Sequence, residues 1–94
     1  MGDMVTDDPA ASRFEFAVDG AVAFVDYRRT DAVLVLTHAE VPPELEGRGI
    51  GSRLVHGVLE LVRARGERVV PRCPFIARYI ERHSEYADLV EAGK

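Results

Sequence analysis

The sequence predicts an α+β domain with the element order β-β-β-α-β-α, on three observations. Apolar residues alternate with period two through much of the first half of the chain, the mark of half-buried strands. From Leu54 to Val62 they recur at spacings of three and four, the stripe of an amphipathic helix. A short β-branched run, Val69-Val70, then separates that stripe from a second, proline-led helix. With 94 residues and 10.4 kDa the chain has room for one such domain, which buries roughly 60–65% of its unfolded surface.

Residues 1–12 (MGDMVTDDPAAS) have no periodicity and are expected to be a loose tail, leaving a single domain over 13–91. Phe14, Phe16 and Val18 alternate with Glu15 and Ala17 in a first short strand. Asp19-Gly20 is a hairpin signal, because both central turn positions want positive φ. The chain returns through Ala21 to Tyr27, and Arg29-Thr30-Asp31 turns it again. The run from Ala32 to Val41 is β-branched and apolar on both faces in its first half, so a central strand covered on both sides is expected. These three strands form an antiparallel meander. Pro42-Pro43 ends the third, since proline cannot donate to a ladder.

In the helix that follows, Leu54, Val55, Val58, Leu59, Leu61 and Val62 form the inner face. Arg53, Glu60, Arg63 and Arg65 form the outer one, and Gly66 is the C-terminal stop. The strand Arg68-Val69-Val70-Pro71 should lie parallel to the third strand by a right-handed crossover. The second helix opens at Pro74 and runs to about Arg82, and Tyr86 to Val90 makes one more turn. Phe14, Phe16, Phe24, Phe75 and Tyr27 are assigned to the core.

Composition narrows the functional classes. Hydrophobic residues at 47% and charged residues at 30% are globular values rather than those of a disordered chain. No apolar run approaches the ~20 residues of a membrane span, and Met1 to Asp8 is acidic and polar, so a soluble, cytoplasmic protein is expected. One cysteine makes no internal disulfide, and with three scattered histidines it builds no metal site. Residues 1–47 carry ten acids and three bases (−7), residues 48–94 six acids and nine bases (+3), which together give −4. That balance argues against general nucleic-acid binding, which depends on neutralising phosphates, yet a basic second half suits one compact anionic ligand. A monomer or weak dimer is expected, because a sheet edge can remain exposed.

The most informative segment is Glu46-Gly47-Arg48-Gly49-Ile50-Gly51-Ser52, between a strand and a helix. Alternate glycines let the backbone approach a ligand closely, and the helix adds unsatisfied N–H donors and the positive end of its dipole. Together these make a pyrophosphate cradle, to which Arg48 or Arg53 can add a charge. The nucleotide P-loop needs Gly-Lys-Ser/Thr, which is absent. The dinucleotide fingerprint needs a G-x-G-x-x-G spacing after a parallel strand, and both conditions fail. There remain a simple turn and the coenzyme A loop of the GNAT acetyltransferases.

Cys73, in Arg72-Cys73-Pro74-Phe75, sits at or near a helix N-cap. A helix N-terminus and an adjacent arginine favour the thiolate, whereas a lone cysteine is otherwise a small buried hydrophobe. The carboxyl ends of the third and fourth strands face the same edge, so Cys73 is expected beside His38 and Glu40 where those strands diverge. His38 and Glu40 are two apart and share a face. Either can take a proton from an amine or from the thiol; otherwise both are ordinary solvent-facing strand residues. Tyr79 and His83 share a helix face; packing accounts for Tyr79 and Tyr86, and surface placement or partial burial for His56.

Four blocks then carry a resemblance. They are Leu36-Thr37-His38-x-Glu40-Val41-Pro42, then Gly47-x-Gly49-Ile50-Gly51-Ser52-x-Leu54-Val55, then Val70-x-x-Cys73-Pro74-Phe75, and last Tyr79-Ile80 with His83-x-Glu85-Tyr86. From Phe14 to Val90 the chain resembles the small single-domain GNAT-like N-acetyltransferases of the YjdJ type. The resemblance implies a truncated GNAT-like (acyl-CoA N-acyltransferase) fold that binds acetyl-CoA across the splayed third and fourth strands. Val41, Gly47, Arg48, Gly49, Ile50, Gly51 and Ser52 would hold it, with the pyrophosphate on Gly47 to Ser52. It further implies acetyl transfer to an amine, peptide or protein acceptor, with Cys73 as the candidate acetyl-handling residue and His38 and Glu40 nearby. Position 46 is Glu where the family prefers Gln or Arg, and 94 residues leave no room for the elements that usually build the acceptor site. A non-catalytic coenzyme A-binding or protein-interaction module is the competing expectation.

Overall fold

A computed structural model of the chain describes residues 5–91. Its strands are β1 (Thr6–Asp8), β2 (Arg13–Val18), β3 (Ala21–Thr30), β4 (Val33–Glu40) and β5 (Arg68–Pro71). Its helices are α1 (Ile50–Ala64) and α2 (Pro74–Arg82), with 3-10 turns at Pro43–Leu45 and Ser84–Leu89. The strands lie in the order β1-β2-β3-β4-β5, antiparallel throughout except for the parallel pair β4–β5. The domain is α+β, as the periodicities predict.

Local chemistry explains the joints. Asp19 (φ 50°) and Gly20 (φ 82°) both adopt the left-handed conformation that a two-residue hairpin requires. The next turn is tighter than expected: β3 runs through Arg29 and Thr30, and Thr30 pairs with Val33 around Asp31 (φ 55°). Gly66, at φ 70°, ends α1 where a side chain would be strained.

One cluster fills the space between the sheet and the helices. Phe14, Phe16, Val25, Tyr27, Leu34, Leu36 and Val69 meet Leu54, Val58, Leu59 and Val62 of α1 and Ile76 of α2, all at most 4% exposed. Each fully buried aliphatic side chain contributes about 1.5–3 kcal/mol by leaving water.

Three expectations need correction. The segment expected to be a loose tail, as far as it lies within the described residues, contains β1. Asp7 there accepts hydrogen bonds from Tyr27 Oη (2.7 Å) and Arg65 Nη1 (2.8 Å), and Val5 is buried against Gly57. β4 is covered on one face only: Leu34 and Leu36 are buried, whereas Val33 and Val35 are half-buried on a face that no helix covers among the described residues. Phe24 lies half-buried on that same open face, with the Arg13 guanidinium 3.8 Å above its ring, rather than in the core.

The same sheet splits between β4 and β5. The last parallel pair of β4 and β5 is Leu36↔Pro71, after which the N–H groups of Arg72 (3.0 Å) and Cys73 (3.1 Å) both donate to the Leu36 carbonyl. From Thr37 onward β4 pairs only with β3 among the described residues. At this point β4 is also bulged. Asp26 pairs with His38 but Tyr27 with Leu36, so Thr37 is an extra residue, its hydroxyl donating to the Asp26 carbonyl at 3.2 Å. The bulge exchanges the faces, so Ala39 turns to the core while His38 and Glu40 turn to the open side.

Candidate active site

The loop between β4 and α1 is shaped by its glycines. Gly47 (φ 82°) and Gly49 (φ 72°) are both left-handed, and a Cβ on either would meet nothing within 4 Å. Their requirement for glycine is therefore in the backbone and not in crowding. Gly49 is the N-cap of α1, and among the described residues no side chain caps the helix. The first-turn N–H groups thus remain available to an outside acceptor, at the positive end of the helix dipole.

Gly51 is required for a different reason. A Cβ there would lie 2.9 Å from Phe75 Cζ and 3.6 Å from Val41 Cγ2, so the helix, the second helix and the end of β4 converge on it. The space they enclose is a cavity of about 270 Å³ lined by Val41, Gly47, Gly49, Ile50, Gly51 and Ser52, together with Leu45, Glu46 and Phe75. Six of the seven residues expected around a cofactor therefore surround one cavity. Arg48 does not line it; its guanidinium reaches 2.9 Å to Asp19 on the β2–β3 turn. Phe75, expected in the core, is 45% exposed and forms one wall. It lies at the edge of the buried Ile76, Tyr79, Ile80 stripe.

Cys73 is the N-cap residue of α2, in extended backbone geometry (φ −74°, ψ 124°), with Pro74 after it. It is 8% exposed, part of the core cluster, and makes no side-chain cap. His38 and Glu40 are not brought to it. They stand on the open face, their side chains more than half exposed, with His38 Nε2 3.2 Å from Glu40 Oε1. The bulge at Thr37 is the cause, because an unbroken period of two would have kept them on the side of Leu34 and Leu36. No hydrogen bond joins Cys73 to either among the described residues.

The other polar candidates hold the fold together. The Tyr86 hydroxyl donates to Glu60 Oε2 (2.5 Å) and lies 3.0 Å from His56 Nδ1, pinning the last 3-10 turn to α1. The rings of Tyr79 and His83 stack at 3.9 Å. Among the described residues no group of three or more His, Cys, Asp or Glu is placed to hold a metal ion, and no helix is long and apolar enough to cross a membrane.

Residues 13–89 match the family model of the GCN5-related N-acetyl-transferases. The fold is similar to the solution structure of a GCN5-like protein from Staphylococcus aureus, with a TM-score of 0.71 and 24% identity over 99% of this chain and 92% of that one. No curated protein matches the sequence.

Proposed function

The chain belongs to the GCN5-related N-acetyltransferases, and from that premise we propose that it binds acetyl-CoA at the glycine loop and transfers the acetyl group to an amine. The observation that carries this is the junction itself. Two left-handed glycines lead into a helix that no side chain caps, beside a strand whose edge is left unpaired by the split from β5, both among the described residues. Main-chain N–H groups from Gly47 to Ser52 suit a pyrophosphate, and Val41, Leu45 and Phe75 offer an apolar wall. Glu46 borders the same cavity and favours a ligand whose phosphates sit toward the helix end of the loop.

Bound acetyl-CoA supplies an activated acetyl thioester. The residues of this chain must then deliver a neutral amine, since an ammonium has no lone pair. His38 and Glu40, exposed and hydrogen-bonded to each other, take that proton on the open face. Cys73 packs on the helix side and positions α2, so transfer is direct and needs no acetylated thiol.

Thermal unfolding with and without acetyl-CoA tests the binding half. Ligand at 100 times its dissociation constant stabilises by about 2.7 kcal/mol. In a domain of this size each kcal/mol moves the midpoint by about 4–8 °C. The wild type should shift and Gly49→Glu should not, beyond a lower starting midpoint from a left-handed non-glycine residue. An unchanged wild-type midpoint at saturating acetyl-CoA removes the proposal. Coenzyme A release with a panel of amines tests the second half, and Cys73→Ala should retain turnover. Its loss, with an acetyl adduct on wild-type Cys73 by intact mass, would move the chemistry to the thiol. Binding without turnover on any amine would leave a coenzyme A-binding module.

A further inference from the structure

A second cavity lies on the open face of the sheet at the mouth of the split. It measures about 440 Å³ and is lined by Arg28, Arg29, Thr30, Val35, Thr37 and Arg72. Thr37 and Arg72 are the first residues beyond the last β4–β5 pair, so this cavity opens where the strands part. Arg29 is committed elsewhere, its guanidinium bonded to Glu67 on the helix side. Arg28 and Arg72 are exposed and form no ion pair among the described residues, in a chain whose net charge is −4. Two guanidiniums without an ion pair among the described residues thus border one recess together with Thr37, the chain neighbour of His38, an arrangement that suits a small anionic group.

From this we infer that the acceptor is a small amine carrying its own carboxylate or phosphate, held at that anion by Arg28 and Arg72; the inference rests on the acetyltransfer reading above. Length follows from the register. Arg28 and Asp26 project to the same face two residues apart on β3, about 7 Å along the strand, and Asp26 is the partner of His38. A ligand with its anion at Arg28 and its amine at His38 and Glu40 is therefore a few bonds long, as in a short amino acid or an aminoalkyl phosphate. The adjoining recess shares Thr30, Val35 and Arg72 but adds Asp31 and Glu91. Those carboxylates bound the site at its far end and repel an extended acidic peptide.

The test compares amines with and without the anionic group, using the full chain and acetyl-CoA: γ-aminobutyrate against n-butylamine, and phosphoethanolamine against ethanolamine. Each anionic amine should be preferred, and the better of the two identifies the anion as carboxylate or phosphate. Arg28→Gln and Arg72→Gln, both at exposed positions, should each raise KM for it about tenfold, equivalent to about 1.4 kcal/mol. Neutral amines and the KM for acetyl-CoA should not respond. Equal use of charged and neutral amines, or indifference to both substitutions, overturns the inference while acetyltransfer stands. If no amine is acetylated, the transfer reading fails, and the site is judged by binding alone. Saturable shifts of the Thr37 and Arg72 amide resonances with γ-aminobutyrate or phosphoethanolamine, lost in both variants, would keep the anion site; no shifts would dismiss it.

Discussion

A methyl group at position 51 would overlap the far end of the Phe75 ring, 2.9 Å from Cζ, whereas at positions 47 and 49 it would touch nothing. The three glycines therefore respond differently to alanine. In α1, Gly51→Ala gains about 1 kcal/mol of helix propensity. The half-exposed Phe75 ring can swing aside at small cost. The variant should be at least as stable as the wild type, yet it should bind acetyl-CoA more weakly, because the displaced ring changes the cavity wall. Denaturant unfolding and ligand titration on the same variant decide it, and unaltered affinity would take Phe75 out of the site. The glycines were legible in the sequence because a strand-to-helix junction with alternate glycines has few uses. Phe75 was not, since an aromatic beside a helix start looks the same whether it turns inward or borders a cavity.

Gly57 on α1 faces Val5, whose Cγ2 would stand 2.3 Å from a Cβ built there and whose own Cβ would stand at 2.9 Å. The Cγ2 methyl can turn about χ1, but Val5 Cβ is fixed to the backbone and cannot swing away as the Phe75 ring can. Gly57→Ala should therefore destabilise: overpacking costs about 1–3 kcal/mol against the roughly 1 kcal/mol that the helix gains. In that background Val5→Ala should cost less than it does in the wild type. Additive effects in a double-mutant cycle, or a stabilised Gly57→Ala, would show that Val5, just before β1, does not press on α1. This edge strand was invisible in the sequence. Thr6–Asp8 has two acids in three residues and no alternation, and Asp7 is held by partners 20 and 58 positions away. The bulge at Thr37 was hidden for the same reason, because register against β3 is a property of the pair. By contrast α1, β5 and α2 were legible to within a residue or so, since their stripes and proline or glycine stops are local signals.

Among the described residues the sheet is covered on one side, which no count of apolar residues in β4 distinguishes from two, because Val33 and Val35 are half-buried among neighbouring side chains alone. That single core is held at its margins by the chain's three tyrosines. Burial raises the pKa of each above its ordinary value of 10.0, first for Tyr86 and with help from Glu60, for Tyr27 with help from Asp7, and for Tyr79 with help from Glu85 and Glu60. A phenol whose folded pKa exceeds its unfolded one favours the native state at every pH below the unfolded value, and that contribution is lost as pH rises toward the folded one. Stability should therefore be insensitive to these groups through neutral pH and should fall above about pH 10. The phenolate absorbance should rise together with loss of structure and not before it. Tyr86→Phe, which cannot ionise, should lose some stability at neutral pH with its hydrogen bonds to Glu60 and His56, about 0.5–1.5 kcal/mol for each bond, and should decline less steeply in alkali. Three phenols titrating together near pH 10 in a protein that stays folded would contradict the account, placing these rings at a wet surface instead of at the seams between β1, α1 and the last turn.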